Sequence, residues 1–282
     1  MLLIGTIPIE LKEVVTGSAI FKDGKLCAGP VSLETNLGTS ALLAASYMTL
    51  SALKQAPPQA ILIGDKGEGK GTKKLFAWLK KNNFKKQKVI CGHYMMPYVE
   101  EFKQIFPKLS QAAQYIVADA GMMYAAKGSG LAREVDVFTP DAGELAFLAD
   151  KNATHPAYVK RILFEMDTDN MEDLIKEAYV AKNLPEFALV KGREDLIVKN
   201  GKIITSVSSP MVEAMEAIGG TGDALVGILS SSYSQQAILL DKASILAAKI
   251  NRIAGNLAQP TPATTISEII KFIPKAIKEV IK

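Results

Sequence analysis

Gly219-Gly220-Thr221-Gly222-Asp223 leads straight into the helix-like apolar run Ala224-Leu225-Val226-Gly227-Ile228-Leu229. Glycines allow the tight turn that points successive amide N–H groups into one concave spot. The helix N-terminus adds its partial positive charge, so the turn is a natural anion hole at Gly219, Gly220, Thr221 and Gly222. Asp223 then brings a carboxylate to a place built for negative charge. A helix N-cap is the simpler use of such an aspartate. Three glycines in four residues are more than a cap requires, and they favour phosphate-type chemistry.

Around this stretch, short apolar runs alternate with helix-periodic segments from about residue 60 onward. Strands are expected at Ala60-Ile61-Leu62-Ile63, Lys88-Val89-Ile90-Cys91, Tyr115-Ile116-Val117-Ala118, Val135-Asp136-Val137-Phe138 and Phe187-Ala188-Leu189-Val190. Helices are expected over Thr72 to Lys81, Pro97 to Phe106, Met171 to Asn183, Asp223 to Tyr233 and Asp241 to Ala258, with only a short connection between Ala118 and Val135. Such alternation predicts an α/β fold, a mainly parallel sheet with helices on both faces. Asn200-Gly201, between two strand-like runs, predicts one antiparallel hairpin on that sheet. A last helix begins near Thr265 and is expected to bend at Pro274. No repeat, low-complexity segment or long linker divides residues 1–282, so one domain is expected.

Composition narrows the partners. The chain has 282 residues and a net charge of +4 from 33 basic and 29 acidic residues, too small an excess to argue for nucleic acid. No apolar run approaches the ~18 residues of a membrane span. The start, Met1-Leu2-Leu3-Ile4-Gly5, does not resemble a secretory signal, and Cys27 and Cys91 suggest no disulfide framework. A cytoplasmic setting is the simplest expectation. His93 and His155 have no metal-ligand spacing with each other or with the cysteines. His93, in Gly92-His93-Tyr94, lies near an expected strand end, within reach of a ligand.

In a parallel sheet ligands collect at the carboxyl ends of the strands. Gly64-Asp65-Lys66-Gly67-Glu68-Gly69-Lys70-Gly71-Thr72 follows the first of these strands. It has nearly the spacing of a phosphate-binding P-loop, but Gly71 stands where the metal-binding hydroxyl belongs. A glycine loop allowing close approach of a ligand at Gly64, Gly67 and Gly69 is the favoured reading. Asp119-Ala120-Gly121, Thr139-Pro140-Asp141-Ala142-Gly143-Glu144 and Lys191-Gly192 follow later strands. Asp119 and Glu144 together are able to hold a hydrated Mg²⁺, while Lys191 is a point charge for a phosphate. Caps and solvated side chains are the plainer alternatives for each.

Taken in order, these motifs resemble the ribokinase-like superfamily, and within it the NAD(P)H-hydrate dehydratase (carbohydrate kinase-like) branch. Gly219–Asp223 matches the superfamily's Gly-Gly-Thr-Gly-Asp. Thr139–Glu144 is similar to the branch's Thr-Pro-His-Pro-Gly-Glu, Asp119-Ala120-Gly121 to its Asp-Ala-Asp strand end, and Lys191-Gly192 to its Lys-Gly. The Gly64–Gly71 stretch stands in place of its glycine loop. Asp141 replaces the branch's histidine, Ala142 its second proline and Gly121 its second aspartate, all where substrate identity would be read. Within residues 1–59, Gly17, Gly29 and Gly38 offer no firm match to the family's opening Gly-Gly-Ser loop.

The resemblance implies a three-layer α/β/α domain and suggests a homo-oligomer. It implies an enzyme that uses ATP or ADP with Mg²⁺ to phosphorylate a hydroxyl of hydrated NADH or NADPH, after which phosphate leaves. Asp223 is then the general base and Glu144 the metal residue. Gly64, Gly67, Gly69, Asp119, Asp141, Lys191 and Gly192 are expected near nucleotide or substrate. A kinase of a small alcohol such as a sugar or vitamin precursor, and a non-catalytic nucleotide sensor, are the alternatives.

Overall fold

The computed structural model describes residues 1–83, 85–154, 168–235 and 239–281; His155 lies outside them. Six parallel strands form the centre of an eleven-stranded sheet, in the spatial order β5 (Gln59–Gly64), β1 (Leu2–Ile7), β6 (Gln87–His93), β7 (Ala113–Ala118), β8 (Val137–Phe138) and β9 (Phe187–Val190). Beyond β9 the sheet continues antiparallel through β10 (Asp195–Lys199) and β11 (Lys202–Val207). Their turn is Asn200-Gly201, with φ of 52° and 71°, the left-handed pair that a two-residue hairpin favours.

The opposite edge is also antiparallel, with β2 (Val15–Lys22), β3 (Lys25–Ala28) and β4 (Val31–Glu34) extending from β5. This corrects the expectation of one hairpin on an otherwise parallel sheet. Strands of four residues are too short to show a period, so β3 and β4 left no legible pattern. The first strand was equally silent. β1 sits between β5 and β6 with all six residues buried, so it has no polar alternation to announce it.

Helices cover both faces. α1 (Gly38–Ala52), α7 (Thr221–Tyr233), α8 (Leu240–Ala258), α9 (Ile266–Ile270) and α10 (Ile273–Val280) pack on one core, which includes Leu42, Leu225, Ala247 and Ile269. α2 (Lys70–Lys81), α3 (Val99–Ala112), α4 (Gly121–Ser129), α5 (Ala142–Ala149) and α6 (Thr168–Val180) belong to the other face, whose core includes Phe76, Phe102, Met122 and Leu145. The connection from β7 to β8 is therefore a helical crossover, as parallel neighbours demand, and not a bare link. Pro274 does more than bend the last helix. The helix ends at Ile270, and Pro274 takes a place in the first turn of α10, where its missing N–H costs nothing. Among the described residues no helix is long and apolar enough to cross a membrane.

One packing decides where the functional groups meet. Gly227, inside α7, lies so close to α1 that an added Cβ would fall 2.3 Å from the Leu42 carbonyl oxygen. The Ser46 hydroxyl donates to the Gly227 carbonyl and the Ser231 hydroxyl to the Ser46 carbonyl. At the other end the Gly38 amide donates to the Asp223 carboxylate. These contacts advance together along both helices, so α1 and α7 run side by side in the same direction. Their two N-termini open onto one place.

Candidate active site

That place lies at the carboxyl ends of the central strands. β6 ends at His93, and β7, β8 and β9 deliver Asp119, Thr139 and Lys191 immediately after their last residues. Because β6 to β9 are consecutive neighbours, these side chains converge. The Lys191 amide donates to the Pro140 carbonyl at 2.8 Å, joining the two last strand ends. A cavity of about 460 Å³ opens above them, within the size range of small-ligand sites. Its lining includes Asp119, Asp141, Glu144, Lys191, Gly222 and Asp223.

Asp223 is the third residue of α7, not its cap; Gly220 holds the cap position with φ of 92°, which a side chain would strain. The Asp223 carboxylate accepts from the Gly38 amide at 2.6 Å and contacts His93 Nε2 at 3.0 Å. His93 is fully buried. Its Nε2 also lies 3.2 Å from Asp119, and its Nδ1 lies 2.9 Å from the Thr39 hydroxyl. Asp119 in turn accepts from Lys191 Nζ at 2.7 Å and from the Thr139 hydroxyl at 2.7 Å. Lysine, aspartate, histidine and aspartate thus alternate in charge from β9 to α7.

The environment of each group follows from this order. Burial opposes the charge on Asp119, but Lys191 and His93 outweigh it and hold its carboxyl well below the usual range. Burial likewise opposes the Lys191 ammonium, yet Asp119 and Glu144 keep it charged beyond its ordinary range. For His93, burial is overcome by the hydrogen bonds to Asp119 and Asp223, which raise its pKa to about 9. Glu144 goes the other way. Burial first, then Asp119 and Asp141, push its carboxyl up to about 7 against the pull of Lys191.

Glu144 and Asp141 form a capping box at the start of α5. The Asp141 carboxylate accepts from the Glu144 amide at 2.8 Å, and Glu144 from the Asp141 amide at 2.9 Å. The Tyr124 hydroxyl donates to the other Glu144 oxygen at 2.7 Å, and Lys191 stands 3.7 Å away. Asp141 and Glu144 are the carboxylates left over once Lys191, Asp119, His93 and Asp223 have balanced one another. This surplus, beside the cavity, fits a divalent cation held through water. Asp119, expected beside Glu144 in that role, is the more deeply buried of the two. It is 2% exposed, and its oxygens are taken by Thr139, Lys191 and His93. The ligating atoms of His93, Asp119 and Asp223 do lie within 4.8 Å of one another. A ring shared between two carboxylates satisfies all three groups without an ion.

The Gly64–Thr72 turn does not join this cluster. Asp65 accepts from the amides of Gly67, Gly69 and Thr72 and from the Thr72 hydroxyl. The protein's own carboxylate therefore fills the nest that a ligand phosphate would need. The loop borders a separate cavity with Ile9, Glu10 and Leu11. The loop that reaches the site is the one after β6, which begins at Tyr94 and lines the cavity with that residue. Sequence reasoning brought His93 only within reach of a ligand and left Thr39 and Gly38 out of the site. The rule that pointed to Asp119 and Lys191, a polar residue just after a central strand, also fits His93.

Residues 96–275 match the family model described as NAD(P)H-hydrate dehydratase. The chain belongs to that family. The Gly64–Gly71 stretch lies outside the match. An uncharacterized protein of Methanocaldococcus jannaschii is 38% identical over 241 residues, 86% of this chain and all of the relative. The ADP/ATP-dependent NAD(P)H-hydrate dehydratase of Bacillus subtilis, co-crystallized with ATP/Mg²⁺, superposes with a TM-score of 0.54 at 16% identity, over 85% of this chain and 84% of that one. Phosphofructokinase-2 of Escherichia coli gives 0.56 at 13% identity, over 99% and 100%. Pyridoxal kinase of Staphylococcus aureus, in complex with AMP-PCP and pyridoxal, gives 0.55 at 12%, over 89% and 86%. At such identities the likeness establishes the ribokinase-like fold.

Proposed function

We propose that the protein is an ATP- or ADP-dependent NAD(P)H-hydrate dehydratase, with Asp223 as general base. The observation that carries this reading is the position of the Asp223 carboxylate, at the joined N-termini of α1 and α7 and facing the cavity that Lys191 also lines. As the substrate hydroxyl attacks the terminal phosphoryl group of the nucleotide, Asp223 accepts its proton. The first-turn amides of α7, which have no partner within the helix, stabilise the charge on the transferring group. The Lys191 side chain passes beside Gly222, 3.4 Å from where a Cβ would stand. Lys191 contributes a fixed positive charge at the same spot. Departure of phosphate from the ring carbon, with loss of a proton from the carbon next to it, then restores the ring double bond of the reduced nicotinamide.

Glu144, with Asp141 beside it, would hold Mg²⁺, which supplies neutralisation of the nucleotide's phosphate oxygens when bound. A kinase of a small alcohol needs the same base and anion hole, and differs only in keeping the phosphoester. That second reading draws support from the two kinases, which superpose as well as the dehydratase does. Hydrated NADH with ATP or ADP, followed at the reduced-nicotinamide absorbance, separates the two. Recovery of absorbance is expected. Nucleotide turnover with a small alcohol and no recovery with the hydrate would replace the dehydratase by the kinase.

A further inference from the structure

Every polar atom of the His93 ring is engaged, and by three different elements. Thr39 comes from α1, Asp119 follows β7 and Asp223 belongs to α7. The backbone around the ring is fixed as well. The Thr6 hydroxyl of β1 donates to the Tyr94 carbonyl, and Tyr94 itself turns with φ of 46°. Its ring stands edge-on to His93 at 4.3 Å between centroids. We propose that His93 is a positioning residue, a buried clamp that holds the Asp223 carboxylate against Asp119 and the N-terminus of α1. This rests on the reading of Asp223 as the base.

The argument is electrostatic and geometric. Asp119 and Asp223 both place an oxygen within 3.2 Å of one ring nitrogen. Two carboxylates so close repel unless a cation lies between them. A doubly protonated ring supplies that cation, donating from Nε2 to the carboxylates and from Nδ1 to the Thr39 hydroxyl. The titratable and charged groups facing or adjoining the ring are Asp119, Asp223, Lys191 through Asp119, and Cys91 and Tyr94 on its own segment. Burial and these neighbours together raise the ring's pKa to about 9. A clamp of this kind cannot take the substrate's proton, because both its nitrogens already carry one. Its work is to hold the base, and its loss should therefore lower kcat more than it raises KM.

The chain has two histidines, so ¹⁵N-histidine NMR of the full-length protein resolves them, with His155→Gln assigning the pair. The expected result is an imidazolium at His93 at neutral pH, titrating near 9 and moving down toward the ordinary histidine range in Asp223→Asn. A neutral ring at neutral pH would overturn the clamp. So would a shift of its Nε2 resonance on adding ZnCl₂ in stoichiometric amount, since the ring would then be a metal ligand. His93→Gln is expected to lose about tenfold or more in kcat with KM for nucleotide nearly unchanged; an unchanged kcat in a folded variant would also overturn it. The NMR readouts require no substrate. A chain with no turnover on hydrated NADH or on small alcohols would refute the enzymatic reading, while the ring's state would still decide whether the clamp exists.

Discussion

At Gly64–Thr72 and at Gly219–Asp223 a glycine-rich turn runs into a helix N-terminus with an aspartate beside it, yet the two aspartates face opposite ways. Asp65 folds back onto the amides of Gly67, Gly69 and Thr72 and closes its own loop. Asp223 turns away from the amides of its helix to reach Gly38 and His93 on other elements. The first turn has already used its anion-binding capacity, whereas the second leaves the first-turn amides of α7 for something else. Glycine content and a helix start are thus not enough to make a phosphate site. What the local carboxylate binds decides it.

The sharpest break in this comparison comes from Lys191, the cation beside the open turn. It is buried between Asp119 and Glu144. Lys191→Met removes the positive partner and leaves two buried carboxylates, so a loss of about 3–5 kcal/mol of stability is expected in urea denaturation. Adding Asp119→Asn to that variant should restore part of the loss. If Lys191→Met unfolds at the same urea concentration as the unchanged chain, the ammonium does not hold the cluster together.

Asp223→Asn tests the outward-facing aspartate itself. A loss of about 10²-fold or more in turnover is expected, with nucleotide binding kept, as calorimetry can measure. A purely structural aspartate would leave turnover near normal, and that outcome would remove Asp223 from the role of base.

Glu144→Gln keeps the capping box, since glutamine serves at that position. It should lower activity by roughly tenfold and blunt its response to added Mg²⁺. The pH dependence follows with a definite sign. Glu144 has a folded value of about 7 against an ordinary 4.5, so ionising it costs stability as pH rises between those values. His93 is raised too, to about 9, and its favourable contribution is complete below about 6.5 and lost as pH rises through 9. Stability of the ligand-free chain should therefore decline from mildly acidic to alkaline pH, and Glu144→Gln should flatten the lower part of that decline. Thermal unfolding across the range measures it; a curve of the same shape in the variant would refute the assignment.

The parts of the fold that were legible are those with a period or a turn signature. The alternating segments after residue 60, the Asn200-Gly201 hairpin and the α7 turn each carry local chemistry that survives without context. β1 carries none, because a strand buried on both faces looks like any apolar run. α4, over Gly121–Ser129, hides between glycines in nine residues. At the site, Asp119, Asp141, Glu144, Lys191 and Asp223 stood out as polar residues after strands or at helix starts, and the structure gathers them around one cavity. His93 and Gly38 were harder to see, since their part depends on α1 and α7 running alongside one another. The glycines at 64, 67 and 69 lie apart from that cavity, and only the structure shows that Asp65 has taken the amides of Gly67 and Gly69.

That inward-facing aspartate gives the smallest effect and the cleanest control. The amides of Thr72, Gly69 and Gly67 hold the Asp65 carboxyl below its ordinary value although burial works the other way. Its contribution is therefore present above the ordinary carboxylate range and lost as pH falls through the lowered value. In Asp65→Asn one oxygen becomes an NH₂ group that faces donors, so hydrogen bonds are lost and two donors oppose each other. With the loop partly exposed, about 1 kcal/mol of stability should go, seen as a lower denaturation midpoint. Turnover and nucleotide affinity should stay within about twofold, because this loop is absent from the lining of the Asp223 cavity. A marked fall in nucleotide affinity would mean that the closed turn opens to bind phosphate, and the contrast between the two turns would fail.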